Sequence, residues 1–191
     1  MNQLQKKYKI NIPANLTILY CNKKNIITIL GPLQKKSLKL KLKLQVSNKN
    51  RIIFVTKILI DKLLNSKKKI KSLQGTTRAL LKQILTEVSL LTYKKLKFVG
   101  IGYKVFNTEQ YNTKLLHFKL GFSHPIYFKL PEHLNVFCIK QTRLFIYGHS
   151  YNEVLQTSSI VQSLKLPDAY KGKGILDENI KIRLKEGKKK A

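Results

Sequence analysis

The chain has 191 residues, room for one larger domain or two small ones, and 43% are hydrophobic, enough for a packed core. It carries 38 Lys+Arg against 9 Asp+Glu, a formal net charge of +29. Such self-repulsion calls for a polyanion, most commonly a nucleic acid, whose phosphate contacts release counterions. A basic membrane-surface protein or a merely soluble basic domain are the bland alternatives.

The basic charge lies in both halves: residues 1–86 hold 20 basic residues and one acid, Asp61, and residues 87–191 hold 18 basic and 8 acidic. In chain order, residues 12–32 read as a hairpin. Leu16, Ile18 and Tyr20 alternate, Asn22-Lys-Lys-Asn25 turns, and Ile27 and Ile29 alternate towards Gly31-Pro32. Ser37 to Leu44 alternates strictly, predicting one half-buried strand with a lysine face, and Ile52–Val55 is its expected partner. Gln74-Gly-Thr-Thr-Arg78 predicts the start of a helix running to about Leu91. Thr76 or Thr77 would be its N-cap, with Leu80, Leu81, Ile84, Leu85 and Val88 inward.

The second half opens with a strand-like segment from Lys94 to Phe106, whose Gly100 and Gly102 mark a bulge or close backbone approach. A turn at 107–112, a strand at 114–120 and a Gly121-Phe-Ser-His-Pro125 loop follow. Residues 130–148 repeat the pattern of residues 12–31: apolar-Pro-x-x-Leu, a polar turn, an alternating strand ending in Gly. Residues 151–165 predict a helix with Val154, Leu155, Ser158, Val161 and Leu164 inward. The expectation is therefore an α+β fold of two duplicated small domains, each an antiparallel or mixed sheet with a covering helix. The expected divisions are 1–92, 93–166 and a basic RNA-binding tail at 167–191.

Enzymatic signals are weak. Gly172-Lys173-Gly174 lacks the spacing and the following Ser/Thr of a P-loop, and Gly100-Ile-Gly102 has no third glycine. Nine acids build no convincing carboxylate pair. Cys21 and Cys138 are too few for a metal cluster or disulfide framework and are expected as buried thiols, while the four histidines are scattered. No cofactor and no small-molecule substrate is expected. No run of 18 apolar residues exists, so no membrane span is expected either.

Binding signals are stronger. Tyr170-Lys-Gly-Lys-Gly174 interleaves a stacking ring, cations and glycines that let a backbone approach phosphates; its other reading is a solvated basic turn. The Gly75-Thr76-Thr77-Arg78 helix start is a candidate phosphate seat, or an ordinary cap. The lysines of residues 39–43 are either a solvated face or an RNA contact.

Gly75-Thr-Thr-Arg-Ala-Leu-Leu81, Val99-Gly-Ile-Gly-Tyr-Lys104, Leu120-Gly-Phe-Ser-His-Pro125 and Pro167-Asp-Ala-Tyr-Lys-Gly-Lys-Gly-Ile175 occur in this order. Together with the ending Arg183-Leu-Lys-Glu-Gly-Lys-Lys-Lys190 they closely resemble the bacterial-type sixth protein of the ribosomal large subunit, the L-six family. The resemblance implies two domains of duplicated α+β fold and no catalysis. It implies large-subunit rRNA and neighbouring ribosomal proteins as partners, near the sarcin–ricin loop where translational GTPases dock. It carries the RNA contacts to Tyr170, Lys171, Gly172, Lys173, Gly174, Arg183, Lys185, Lys188, Lys189 and Lys190. Thr76, Thr77, Arg78, Ser123 and His124 complete the expected RNA-binding set. A free-standing RNA-binding or RNA-chaperone module is the alternative.

Lys outnumbers Arg 34 to 4, although Arg is the better bidentate phosphate binder. That bias, with 20 Ile and 13 Asn, fits AT-rich coding DNA. With no recognisable presequence, the expected location is a mitochondrial ribosome, the protein being encoded in the organelle; a plastid or an AT-rich bacterial cytoplasm is the alternative.

Overall fold

The structure is a computed structural model that describes residues 8–47, 49–59, 67–110 and 113–187. The chain divides into two compact units, Met1–Leu91 and Thr92–Ala191. Unit 1 runs β1 (Lys9–Asn11), β2 (Thr17–Cys21), β3 (Ile26–Leu30), β4 (Lys35–Lys39), β5 (Leu42–Ser47), β6 (Ile52–Leu59) and α1 (Lys67–Ser89). Unit 2 runs β7 (Thr92–Val99), β8 (Lys104–Gln110), β9 (Thr113–Lys119), β10 (Ile126–Lys129), β11 (Leu134–Lys140) and β12 (Arg143–Gly148), then α2 (Tyr151–Ser163) and β13 (Gly174–Asp177). No helix among the described residues is long and apolar enough to cross a membrane.

Each unit holds two small antiparallel sheets. In unit 1 they are ordered β2-β3-β4 and β1-β6-β5; in unit 2, β8-β9-β10 and β11-β12-β7-β13. Shifting the strand numbers by six superimposes the two schemes, so β1 corresponds to β7, β2–β4 to β8–β10, and β5–β6 to β11–β12. The helix follows the sixth strand in both. The duplication is real, but its register differs from the sequence expectation. Residues 130–148 are the counterpart of β5–β6, not of the hairpin at 12–31. Both segments happen to be Pro-led hairpins that end on a glycine, and local pattern cannot distinguish one hairpin from another. β13 is the addition: it pairs with β7 and has no counterpart among the described residues of unit 1.

The cores explain the pattern. Inward positions of the strands and helix of unit 1 bury Ile27, Ile29, Leu42, Ile53, Leu81 and Val88. Unit 2 buries Leu96, Leu116, Phe118, Leu134, Leu144 and Ile146. Each fully buried side chain of this size contributes about 1.5–3 kcal/mol.

Several local readings are corrected. The alternating run from Ser37 to Leu44 is two strands in different sheets. Leu40 gives its amide to Asn25 O at 2.9 Å, and the chain crosses there while its apolar phase continues. The segment from Lys94 to Phe106 is likewise two strands, broken at 100–103. β8 extends to Gln110, opposite Thr113, through most of the expected turn; residues 111 and 112 lie outside the described set. On α1, Leu80 faces solvent, while Gln74, Thr77 and Glu87 are buried. Gln74 Nε2 donates to Val55 O at 3.2 Å and Glu87 pairs with Lys36, while Gln74 Oε1 is buried with no hydrogen-bond partner among the described residues. On α2 the inward face includes Thr157, whose hydroxyl donates to Glu153 O at 2.7 Å, and Leu155 is only half-buried. Cys21 is exposed on the outward phase of β2, and Cys138 is half-buried, so neither is the fully buried thiol expected. Burial pushes the Cys138 thiol up, offset in part by a hydrogen bond with the Asn107 backbone.

Candidate nucleic-acid interface

The loop between α2 and β13 is built around Asp168. Its amide donates to Lys173 O at 2.9 Å, and its carbonyl accepts the Gly172 amide at 3.0 Å. Its carboxylate accepts the amides of Lys171 at 3.1 Å and Tyr170 at 3.4 Å. Those bonds, the Lys171 amide foremost, hold the Asp168 carboxyl below the usual carboxylate range. The native loop gains stability from the ionised form, which it keeps above the ordinary carboxylate pKa and loses as pH falls through the lowered one. Asp168 thus occupies the amides that a phosphate could have met. What remains to meet a polyanion is side chains: Tyr170 and Lys171 are exposed and Lys173 is half-buried.

Gly172 and Gly174, expected to admit a phosphate chain, are both buried. Gly172 has φ +66°, and a Cβ there would sit 3.2 Å from Leu184 Cδ2. A Cβ on Gly174 would come within 2.5 Å of Pro167 Cα. Their missing side chains serve the loop's own packing.

The tail folds back onto this loop. The Lys185 amide donates to Ala169 O at 2.9 Å and Leu184 lies against Gly172. Exposed Arg183 and Lys185 are therefore carried beside Tyr170 and Lys171. Lys188, Lys189 and Lys190 lie outside the described residues.

Two more loops converge on the same end of unit 2. Val99 pairs with Gly174, which sets the 100–103 turn beside the loop's return. The Tyr103 ring closes over Gly100, where a Cβ would meet it at 2.8 Å, and reaches Gly121, where the approach would be 3.1 Å. Phe122 stacks on His124 with centroids 5.9 Å apart, and Lys165 Nζ stands 4.4 Å from the Phe122 ring centroid. Lys165 O accepts the Ile175 amide at 2.9 Å, tying that lysine to the loop's far side. Ser123 and His124 are thereby brought to the end of unit 2 that bears Tyr170, Lys171 and Lys173. Sequence reasoning missed Lys165, and also Ile101, which is 89% exposed at the tip of its turn. The glycines at 100, 102 and 121, all with positive φ, were the available signal for these loops.

Thr76, Thr77 and Arg78 are not at a helix start. The helix begins by Lys67, so their amides belong to its interior. Both threonine hydroxyls turn back on the helix, donating to Leu73 O at 3.0 and 2.8 Å. The expected phosphate seat of free amides does not exist. Arg78 instead joins Lys9 and Lys82 in the wall of an open cleft of about 460 Å³ on unit 1, a basic cluster with no sequence signature. Among the described residues no three His, Cys, Asp or Glu side chains converge as metal ligands do.

No family model matches the chain. It is, however, similar to several proteins named large ribosomal subunit protein uL6. The one from Mycoplasmoides gallisepticum is 34% identical over 181 residues, covering 94% of this chain and 92% of that protein. The one from Rhodospirillum rubrum is 33% identical over 184 residues, 96% and 97% respectively. The one from Mycoplasma capricolum is 40% identical over 130 residues, 68% and 70%. Likeness over nearly the full length of both chains, together with the twice-repeated α+β fold, places this chain in the uL6 family of large-ribosomal-subunit proteins.

Proposed function

We propose that the chain is a structural, non-catalytic constituent of the large ribosomal subunit. It holds large-subunit rRNA through the convergent loops and tail of unit 2, at the sarcin–ricin region where translational GTPases dock. Members of the family are ribosomal structural proteins rather than enzymes. The observation that carries the RNA reading is the cluster of Tyr170, Lys171, Lys173, Arg183 and Lys185. The tail is pinned to the loop by the hydrogen bond from Lys185 to Ala169, so these groups are presented together. Lysines supply sequence-independent phosphate contacts and Tyr170, 56% exposed, supplies a ring for a sugar or base. The tail beyond residue 187 adds three lysines to that charge.

Hydroxyl-radical footprinting of large-subunit rRNA with the purified chain tests the placement. Protection at and around the sarcin–ricin loop, lost on Lys171→Ala/Lys173→Ala, is expected. Protection confined to another rRNA region, or unaltered by the double substitution, contradicts it.

For the compartment, the relatives named above are bacterial, which favours a ribosome of an AT-rich bacterium over the mitochondrial ribosome that composition led us to expect. Probing fractionated lysates of the source cells for the chain on organellar or cytoplasmic ribosomes separates the two.

A further inference from the structure

The outer face of the β8-β9-β10 sheet carries three rings in one row. Phe106, His117 and Tyr127 sit opposite one another across the three strands. Phe106 and His117 are 5.7 Å apart at 27°, and His117 and Tyr127 are 5.0 Å apart at 14°. The alternate residues Val105, Leu116 and Phe118 fill the core, so the row belongs to the opposite, outward face. The inner ring of the row makes no polar use of its shielded atom: His117 Nε2 has no hydrogen-bond partner among the described residues. Tyr127, the end ring, is 61% exposed.

Around the row stand exposed Lys104 and Lys119, which face each other across β8 and β9, and exposed Lys129, two residues along from Tyr127. The described side chains on this face include no carboxylate. A second aromatic face in the same unit makes the contrast. There Tyr93 and Phe145 stack at 5.0 Å, but Glu178 approaches Lys95 at 3.8 Å and Arg143 at 3.7 Å, so the cations are already matched. Lys119 Nζ stands 6.0 Å from the Phe106 ring centroid, and lysines with no carboxylate partner around a stack with an open end are the pattern for phosphates along a strand with a base on the last ring.

We propose that this face is a second RNA contact, taking an unpaired stretch of RNA with one base stacked on Tyr127 and phosphates on Lys104, Lys119 and Lys129. It rests on the reading of the chain as an rRNA-binding protein, and it adds a stacking site that the loop-and-tail cluster does not contain. An apolar protein partner fits the face less well, since three lysines with no carboxylate partner among the described residues would have to be desolvated.

The chain contains no tryptophan, so Tyr127→Trp places a single reporter at the end of the row. The probes are a 12-nucleotide oligoriboadenylate and an abasic ribose–phosphate oligomer of equal length. Expected results are quenching of the indole by the oligoadenylate and not by the abasic oligomer. Tyr127→Leu should weaken oligoadenylate binding about tenfold and leave abasic binding unchanged, whereas Tyr127→Phe retains affinity. Lys104→Gln/Lys119→Gln should lower the salt slope by about 1.4. An unquenched indole on a chain that binds both probes equally overturns the proposal and leaves the rRNA reading standing. A Tyr127→Leu chain with intact RNA binding but failed incorporation into large subunits assigns the face to a protein and also overturns it. A chain that binds neither probe nor large-subunit rRNA removes the wider reading, and this one with it.

Discussion

Residues 9–59 and 92–148 trace the same path of six strands into two small sheets, yet one unit dresses that path in lysine and the other in rings and glycines. In unit 1 the outward positions of β4 and β5 include Lys39 and Lys43, and Lys41 stands at the bend between the two strands, all exposed. In unit 2 all the close ring pairs of the described residues are found, along with every glycine at positive φ. The core needs only apolar residues in the right phase, so two copies can diverge freely on the outside. What separates them is the added strand β13 and the loops it organises. On the reading proposed above, charge alone is a poor guide to the binding surface, because the converging loops among the described residues are those of unit 2, the less basic one.

The added strand offers the largest test. Lys94 pairs with Asp177, whose carboxylate is buried and also accepts the Asn179 amide at 3.3 Å. Lys94→Met strands that carboxylate and should cost about 3 kcal/mol in chemical denaturation, while Lys94→Met/Asp177→Leu should recover most of the loss. Failure of the double change to recover would mean that β13 is held by something other than this pair. Gly174→Ala, forced against the Pro167 backbone, should cost about 2 kcal/mol and release the loop to faster amide exchange. In unit 1, Thr76→Ala should change stability by less than about 0.5 kcal/mol, since Thr76 lies on the exposed side of a helix interior; a helix cap would cost about 1 kcal/mol. The finest distinction is between the thiols. A short pulse of iodoacetamide at neutral pH should label exposed Cys21 and largely spare Cys138, whose raised pKa keeps it protonated. Equal labelling would show that β11 opens as readily as the edge of unit 1.

How much of this was legible beforehand follows from what periodicity can carry. Alternation at Ile27 and Ile29 and at Leu42 and Leu44 revealed strands and their inward faces, because burial on one side enforces period two. It could not show that the chain changes sheets at Leu40, since the apolar phase runs unbroken through the crossing. The helix start was misplaced because Thr76 and Thr77 look like caps, whereas in the fold their hydroxyls bond back to the preceding turn. The Tyr170–Gly174 segment stands out in the sequence, but the packing role of its glycines does not. Only the fold reveals that Leu184 and Pro167 occupy the space a side chain would need. The ring row of Phe106, His117 and Tyr127 was invisible because its members come from three strands and meet only through register.

The most direct test of the central claim is sedimentation of large subunits from cells carrying either the natural chain or Lys171→Ala/Lys173→Ala, at low and at high salt. The account predicts that the natural chain stays with the large subunit in high salt and the double variant moves to light fractions. Lys41→Ala/Lys43→Ala in unit 1 should behave as the natural chain does. A Lys171/Lys173 variant that sediments with the large subunit as firmly as the natural chain would contradict it.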